Sequence, residues 1–279
     1  MVPRSRARSG TRGAARAPGA LHRSGKGPRG RPDPWGADAD VLDALGNAAG
    51  AGGPALDVHG DDIGFEKACR RAILPRENAG PSGRFLWFSW PSDGAIAIHT
   101  HDEGGLYWRV RDLADALVEP ARRSGTGVVD MVGHSPGARG VVPALCEVAK
   151  GSPGIRLAEG VLRAPNMDCG IFRRIRPRIV PVADTITVYV TLGDRPLALS
   201  ARRRGYPRPG EAGNDVSSRE GVKVIDVSAL PAGTPTGHLS HLYSDGVGPG
   251  PEPAARRRAP CGGPALAAPD RPGQLAAAA

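Results

Sequence analysis

A serine with glycine two residues before it and two after it, Gly133-His134-Ser135-Pro136-Gly137, follows the apolar run Val128-Val129-Asp130-Met131-Val132. A chain that turns abruptly from strand to helix needs small residues at those two places. The pentapeptide therefore predicts a nucleophile elbow that lifts the Ser135 hydroxyl above a strand end. A serine hydroxyl attacks a carbonyl when a base takes its proton and an acid orients that base, and behind such an elbow these arrive in the order acid, then histidine. Asp194, in Leu192-Gly193-Asp194-Arg195 just after the apolar stretch 187–191, is the expected acid. His238, in Gly237-His238 beyond a predicted strand at 221–227, is the expected base. Asp168 also ends a predicted strand and stands as the alternative acid, and His241 as the alternative base. Asp226 falls inside a predicted strand and is read as structural, while His134 is expected to pack beside the nucleophile.

An attacked carbonyl also needs N–H donors for the oxyanion. The residue after the serine normally gives one, and here it is Pro136, which has no N–H. His59-Gly60-Asp61-Asp62 follows a predicted strand end at 55–58, so backbone N–H groups around Gly60 and Asp61 are expected to supply what oxyanion hole there is. Losing one such donor typically costs a factor of ~10² to 10³ in turnover. Two readings follow: a serine esterase acting on a small-molecule ester, impaired by Pro136, or a catalytically degenerate fold that binds or scaffolds. Neither requires a cofactor or a metal. His99-Thr100-His101-Asp102-Glu103 alternates its histidines as metal ligands would on a strand, but no further His or Cys group stands at a zinc spacing nearby. Its acidic residues also suit a helix start.

The elements that must position these residues are predicted from apolar periodicity. Strands are expected at 55–58, 84–89, 128–132, 160–164, 185–191 and 221–227, and helices at 65–74, 103–123, 136–149 and 195–203, with a short one at 37–49. About six strands joined by helical crossovers describe a mostly parallel, doubly wound α/β sheet, with Ser135 at the carboxyl end of a central strand, where ligands bind in such folds. Pro143, inside the elbow helix, is expected to kink it.

Composition divides the chain into three. Residues 1–54 are rich in Arg, Gly, Ala and Pro, and 246–279 in Pro, Gly and Ala. Such segments bury too little apolar surface to offset the entropy of ordering, so both are expected to be disordered tails around one domain at 55–245. The formal charge of +9 comes largely from ends: nine Arg and Lys lie between Arg4 and Arg31, and Arg256-Arg257-Arg258 adds a knot. No aromatic residues interleave with them, so nucleic acid is not an expected partner. Four cysteines without a C-x-x-C pair argue against a zinc site or a disulfide framework. No apolar run approaches the ~20 residues of a membrane span, and no secretory signal is apparent; a cytoplasmic protein is expected.

The middle of the chain resembles a bacterial alpha/beta-hydrolase family of unknown function. The resemblance rests on His59-Gly60 with Phe65-Glu66-Lys67-Ala68, Phe88-Ser89-Trp90-Pro91-Ser92, Gly133-His134-Ser135 with Gly137, and Ala164-Pro165-Asn166-Met167-Asp168 with Ile171-Phe172-Arg173-Arg174. It continues through Tyr189-Val190 with Asp194-Arg195-Pro196-Leu197-Ala198-Leu199-Ser200, then Val224-Ile225-Asp226-Val227-Ser228 and Gly237-His238. It implies an alpha/beta-hydrolase fold and a hydrolase-like triad on Ser135, Asp194 and His238, with no substrate named. The chain departs from the family pattern at Asp61 and Asp62, where Tyr and Asn are usual, at Pro136, where Met is usual, and at Pro143.

Overall fold

The computed structural model describes residues 53–60, 85–90, 99–214, 221–230, 235–238 and 275–278. Their centre is a sheet of seven strands. In chain order these are β1 (Ala55–Val58), β2 (Phe85–Phe88), β3 (Val128–His134), β4 (Arg156–Arg163), β5 (Ala183–Val190), β6 (Val222–Asp226) and β7 (Leu275–Ala278). They lie in the spatial order β6-β5-β4-β3-β1-β2-β7. The first six are mutually parallel, and β7 joins β2 antiparallel. The order runs outward in both directions from the β1–β3 pair, which is the expected doubly wound α/β sheet.

The helices are α1 (His99–Trp108), α2 (Val110–Arg123), α3 (Gly137–Gly151), α4 (Cys169–Ile179) and α5 (Arg195–Arg204). Helix α3 is central: it packs against β1 and β3, with α2 and α4 beside it. Its packing face carries Val141, Val142, Leu145 and Val148, and α2 offers Leu113, Leu117 and Ala121, all buried. Removing each such Leu or Val side chain from water contributes roughly 1.5–3 kcal/mol. From the sheet come Leu56, Val58, Met131, Leu162 and Val188, all nearly inaccessible. Strand residues alternate faces. Asp57, His134 and Arg163 therefore point away from α3, since their neighbours Val58, Gly133 and Leu162 share the α3 face through the strand register.

Several boundaries differ from expectation for identifiable reasons. The helix expected at 103–123 begins earlier, at His99, and divides at Arg109, whose backbone (φ −93°, ψ 1°) interrupts the ladder and whose guanidinium pairs with Asp112 at 2.9 Å. Helix α4 was not anticipated. It carries Pro177 in its last turn and four arginines, yet Phe172 and Ile179 are buried at helical spacing, and Asp168 caps it by accepting from Ile171 N–H at 2.9 Å. Strand β7 falls within the segment expected to lack structure. An exposed strand edge such as β2's is satisfied by backbone groups, so a partner needs no hydrophobic period. Helix α3 is continuous through Pro143. The helices expected at 37–49 and 65–74 lie outside the described residues.

Candidate active site

Strand β3 ends at His134 and the chain reverses at Ser135, whose φ of +53° puts a residue with a β-carbon in the left-handed region. Such backbone costs about 1–3 kcal/mol and persists only where its surroundings hold it. The Ser135 N–H donates to the Arg163 carbonyl at 2.9 Å, and the Ser135 carbonyl accepts from Ala138 N–H at 3.2 Å and Asn166 N–H at 3.1 Å. Helix α3 can start at once because Gly137 has no side chain: a β-carbon there would sit 2.5 Å from the carbonyl oxygens of Val58 and His59.

On this turn three side chains meet. His238 Nε2 lies 2.8 Å from Ser135 Oγ, and His238 Nδ1 lies 2.6 Å from Asp194 Oδ2. With a carboxylate beside Nδ1, that nitrogen carries the proton and donates to it, leaving Nε2 to accept the serine hydroxyl. Asp194 is wholly buried, and its second oxygen accepts from Leu197 N–H at 2.9 Å, capping α5. One carboxylate thus starts a helix and orients an imidazole. Gly237 brings the histidine in with φ +70°, so close to the preceding loop that a β-carbon would lie 2.4 Å from the Gly193 carbonyl oxygen. The Arg195 N–H, donating to the Thr236 carbonyl at 3.1 Å, ties the two loops together. His134 lies behind the His238 ring, with ring centroids 5.0 Å apart.

Gly60 abuts the serine: a β-carbon on it would stand 3.2 Å from Ser135 Cβ and 2.6 Å from His134 Nδ1. Its strand end is held by His59, whose Nδ1 donates to the Gly60 carbonyl at 2.7 Å and whose Nε2 accepts Trp90 N–H at 3.3 Å. Trp90 stacks on this imidazole at 5.3 Å and donates its indole N–H to the His59 carbonyl at 2.9 Å. The first resembling segment and the Phe-Ser-Trp strand end are therefore one latch beside the serine. Pro136 has helical angles (φ −64°, ψ −22°) and no N–H to offer a reacting oxygen.

The alternative acid, Asp168, does not join this cluster; its carboxylate caps α4. Asp226 accepts from the backbone N–H of Ser228 at 2.8 Å and from its hydroxyl, bonds that hold its carboxyl below the usual range. Asp61 and His241 lie outside the described residues. Among the described residues, no three His, Cys, Asp or Glu side chains gather as a metal would need. Four further buried or bonded residues carry no marked role in the sequence motifs: Arg139, Asn166, Asp57 and Arg163. A charged residue at a core-facing helix or strand position was the available signal for Arg139, Asp57 and Arg163. Burial pushes the Asp57 carboxyl up to about 6 against the opposing effect of Arg163.

Residues 54–249 match the model of the family described as Alpha/beta hydrolase of unknown function (DUF900). The chain belongs to that family. No match was found among curated proteins. Solved structures that resemble this DUF900 member include a proposed cell surface hydrolase from Lactobacillus plantarum WCFS1, at 16% identity and a TM-score of 0.44, covering 67% of this chain and 84% of that one. The family has the alpha/beta-hydrolase fold, as the parallel sheet and its helices here do. No helix among the described residues is long and apolar enough to cross a membrane.

Proposed function

We propose that this DUF900 protein is a serine hydrolase of carboxylesterase type acting on a small-molecule ester. The observation that carries the reading is the continuous hydrogen-bond line Ser135 Oγ, His238, Asp194, at 2.8 and 2.6 Å. In the first step His238 Nε2 takes the Ser135 proton as Oγ bonds to the ester carbonyl carbon, and the carbonyl oxygen becomes an oxyanion. The tetrahedral adduct collapses, the alkoxide leaves with the proton held by His238, and an acyl-serine remains. Water, giving its proton to His238, then releases the acid and restores the serine. Asp194 holds the Nδ1–H tautomer and stabilises the imidazolium without itself becoming protonated. Backbone donors of the loop at Gly60 and Asp61 stabilise the oxyanion, and Pro136 leaves that hole one donor short. A cytoplasmic setting belongs to the same proposal.

The second reading, a degenerate fold that binds without turning over, is favoured by Pro136 alone. A fluorophosphonate probe decides between them. Labelling of the wild-type chain that disappears in Ser135→Ala supports the hydrolase; a folded wild-type chain that takes no label refutes it.

A further inference from the structure

Arg139 sits in the first turn of α3 and is 5% exposed. Both circumstances disfavour a guanidinium: the helix N-terminus carries the positive end of the dipole, and burial removes hydration. Its compensation is directional. Nε and Nη2 donate together to the Asn166 carbonyl oxygen, at 3.0 and 2.8 Å. Asn166 belongs to the loop after β4, where Ala164 also has positive φ (43°), and its own N–H donates to the Ser135 carbonyl at 3.1 Å. The charged group therefore reaches the strained turn through one residue, whose carbonyl takes the guanidinium and whose N–H, across the Cα, holds the Ser135 carbonyl. On the other side the Asn166 Oδ1 accepts the Ser200 hydroxyl at 2.8 Å, from the helix that Asp194 caps. One residue is thereby bonded to the elbow, to the elbow helix and to the helix of the acid.

We propose that Arg139 is a positioning residue: by clamping the Asn166 carbonyl it holds the backbone of residue 166, whose N–H on the other side of the Cα bonds the left-handed Ser135, and so sets where Oγ stands relative to His238. The role rests on the reading of Ser135 as nucleophile. A neutral donor could satisfy one lone pair of that carbonyl, but the planar fork also fixes direction, which lysine cannot reproduce. Displacing a reacting group by about 1 Å costs on the order of 10²-fold in rate, so the loss should fall on kcat and leave KM alone.

The full chain, Arg139→Ala, Arg139→Lys and a control, Arg156→Met at the far end of β4, are compared for hydrolysis of p-nitrophenyl acetate, fluorophosphonate labelling rate and Tm. In Arg139→Ala, kcat and labelling are expected to fall on the order of 10²-fold with KM unchanged. Added guanidinium ion should recover part of the rate in that variant and none in wild type. Arg139→Lys should fall by about tenfold, and the control should keep its rate. A wild-type rate in folded Arg139→Ala overturns the proposal, as does a loss that guanidinium leaves untouched. If Arg139→Ala does not fold, a folded Arg139→Lys decides: a reduced kcat supports the clamp and an unchanged one overturns it. Absence of labelling in wild type instead defeats the nucleophile reading, and the clamp's catalytic role with it.

Discussion

Replacing Pro136 by alanine should make this protein a faster hydrolase and a slightly less stable one. The Ser135 N–H already donates to the Arg163 carbonyl at 2.9 Å, so the elbow has no serine amide to spare, and Pro136 has none. At φ −64° and ψ −22° an alanine fits the same backbone without strain, so the substitution adds an N–H beside the nucleophile and little else. A restored oxyanion donor is worth roughly 2.7–4 kcal/mol in the transition state, or ~10²- to 10³-fold in kcat. The unfolded chain gains freedom when proline is lost, so stability should drop by about 0.4–1 kcal/mol. The assay is hydrolysis of p-nitrophenyl esters by wild type, Pro136→Ala and Pro136→Ala with Ser135→Ala, alongside urea unfolding. An increase that vanishes with the serine supports the account. An unchanged kcat in folded Pro136→Ala refutes the idea that the missing amide limits turnover, whatever the stability does.

Other perturbations test separate parts of the site. Asp194→Asn keeps an oxygen for the Leu197 N–H but presents an amide N–H to His238, favouring the wrong tautomer. Its kcat should fall on the order of 10⁴-fold with little change in Tm, and a near-normal rate would remove Asp194 from the mechanism. Gly237→Ala forces a β-carbon to within 2.4 Å of the Gly193 carbonyl oxygen at φ +70°, so His238 must move, and ester hydrolysis should drop on the order of 10²-fold. Retention of full activity there would show that the histidine's placement does not depend on that contact. For the buried Asp57, the folded carboxyl titrates about 6 against an ordinary 3.8, so the native state binds the proton more readily. Its contribution therefore weakens native stability as pH rises through that window, by about 3 kcal/mol in all. Asp57→Asn cannot titrate; its stability relative to wild type should rise by most of that amount, about 2–2.5 kcal/mol, from pH 4 to pH 7 in chemical denaturation. A difference flat with pH would refute the shift.

Much of the scaffold was legible because parallel strands buried on both faces read as short apolar runs, and the six parallel strands lie near the runs that predict them. What escaped notice had weak or competing signals. Helix α4 hides its buried Phe172 and Ile179 among arginines, and its cap, Asp168, reads in the sequence as a strand-end acid. Four residues of the C-terminal segment form an edge strand through main-chain bonds that no side-chain pattern announces. Arg139 and Asn166 were visible as residues and silent as a pair, since 27 positions separate them and their contact is made by a backbone oxygen.

By itself the sequence determined the elbow, because only glycine tolerates the approaches on either side of Ser135, and it determined the absence of an amide at position 136, because proline has none. It also set the order in which an acid and a histidine follow. Which carboxylate meets which imidazole was decided by tertiary structure alone. Asp194 and Asp168 both end strands and both cap helices, and only the placement of residues 235–238 against the Gly193 carbonyl brings His238 to one carboxylate and to Ser135, 103 positions earlier in the chain. Hydrogen bonds of 2.6–2.8 Å demand convergence of chain segments far apart in sequence, a property of the folded sheet rather than of any local stretch.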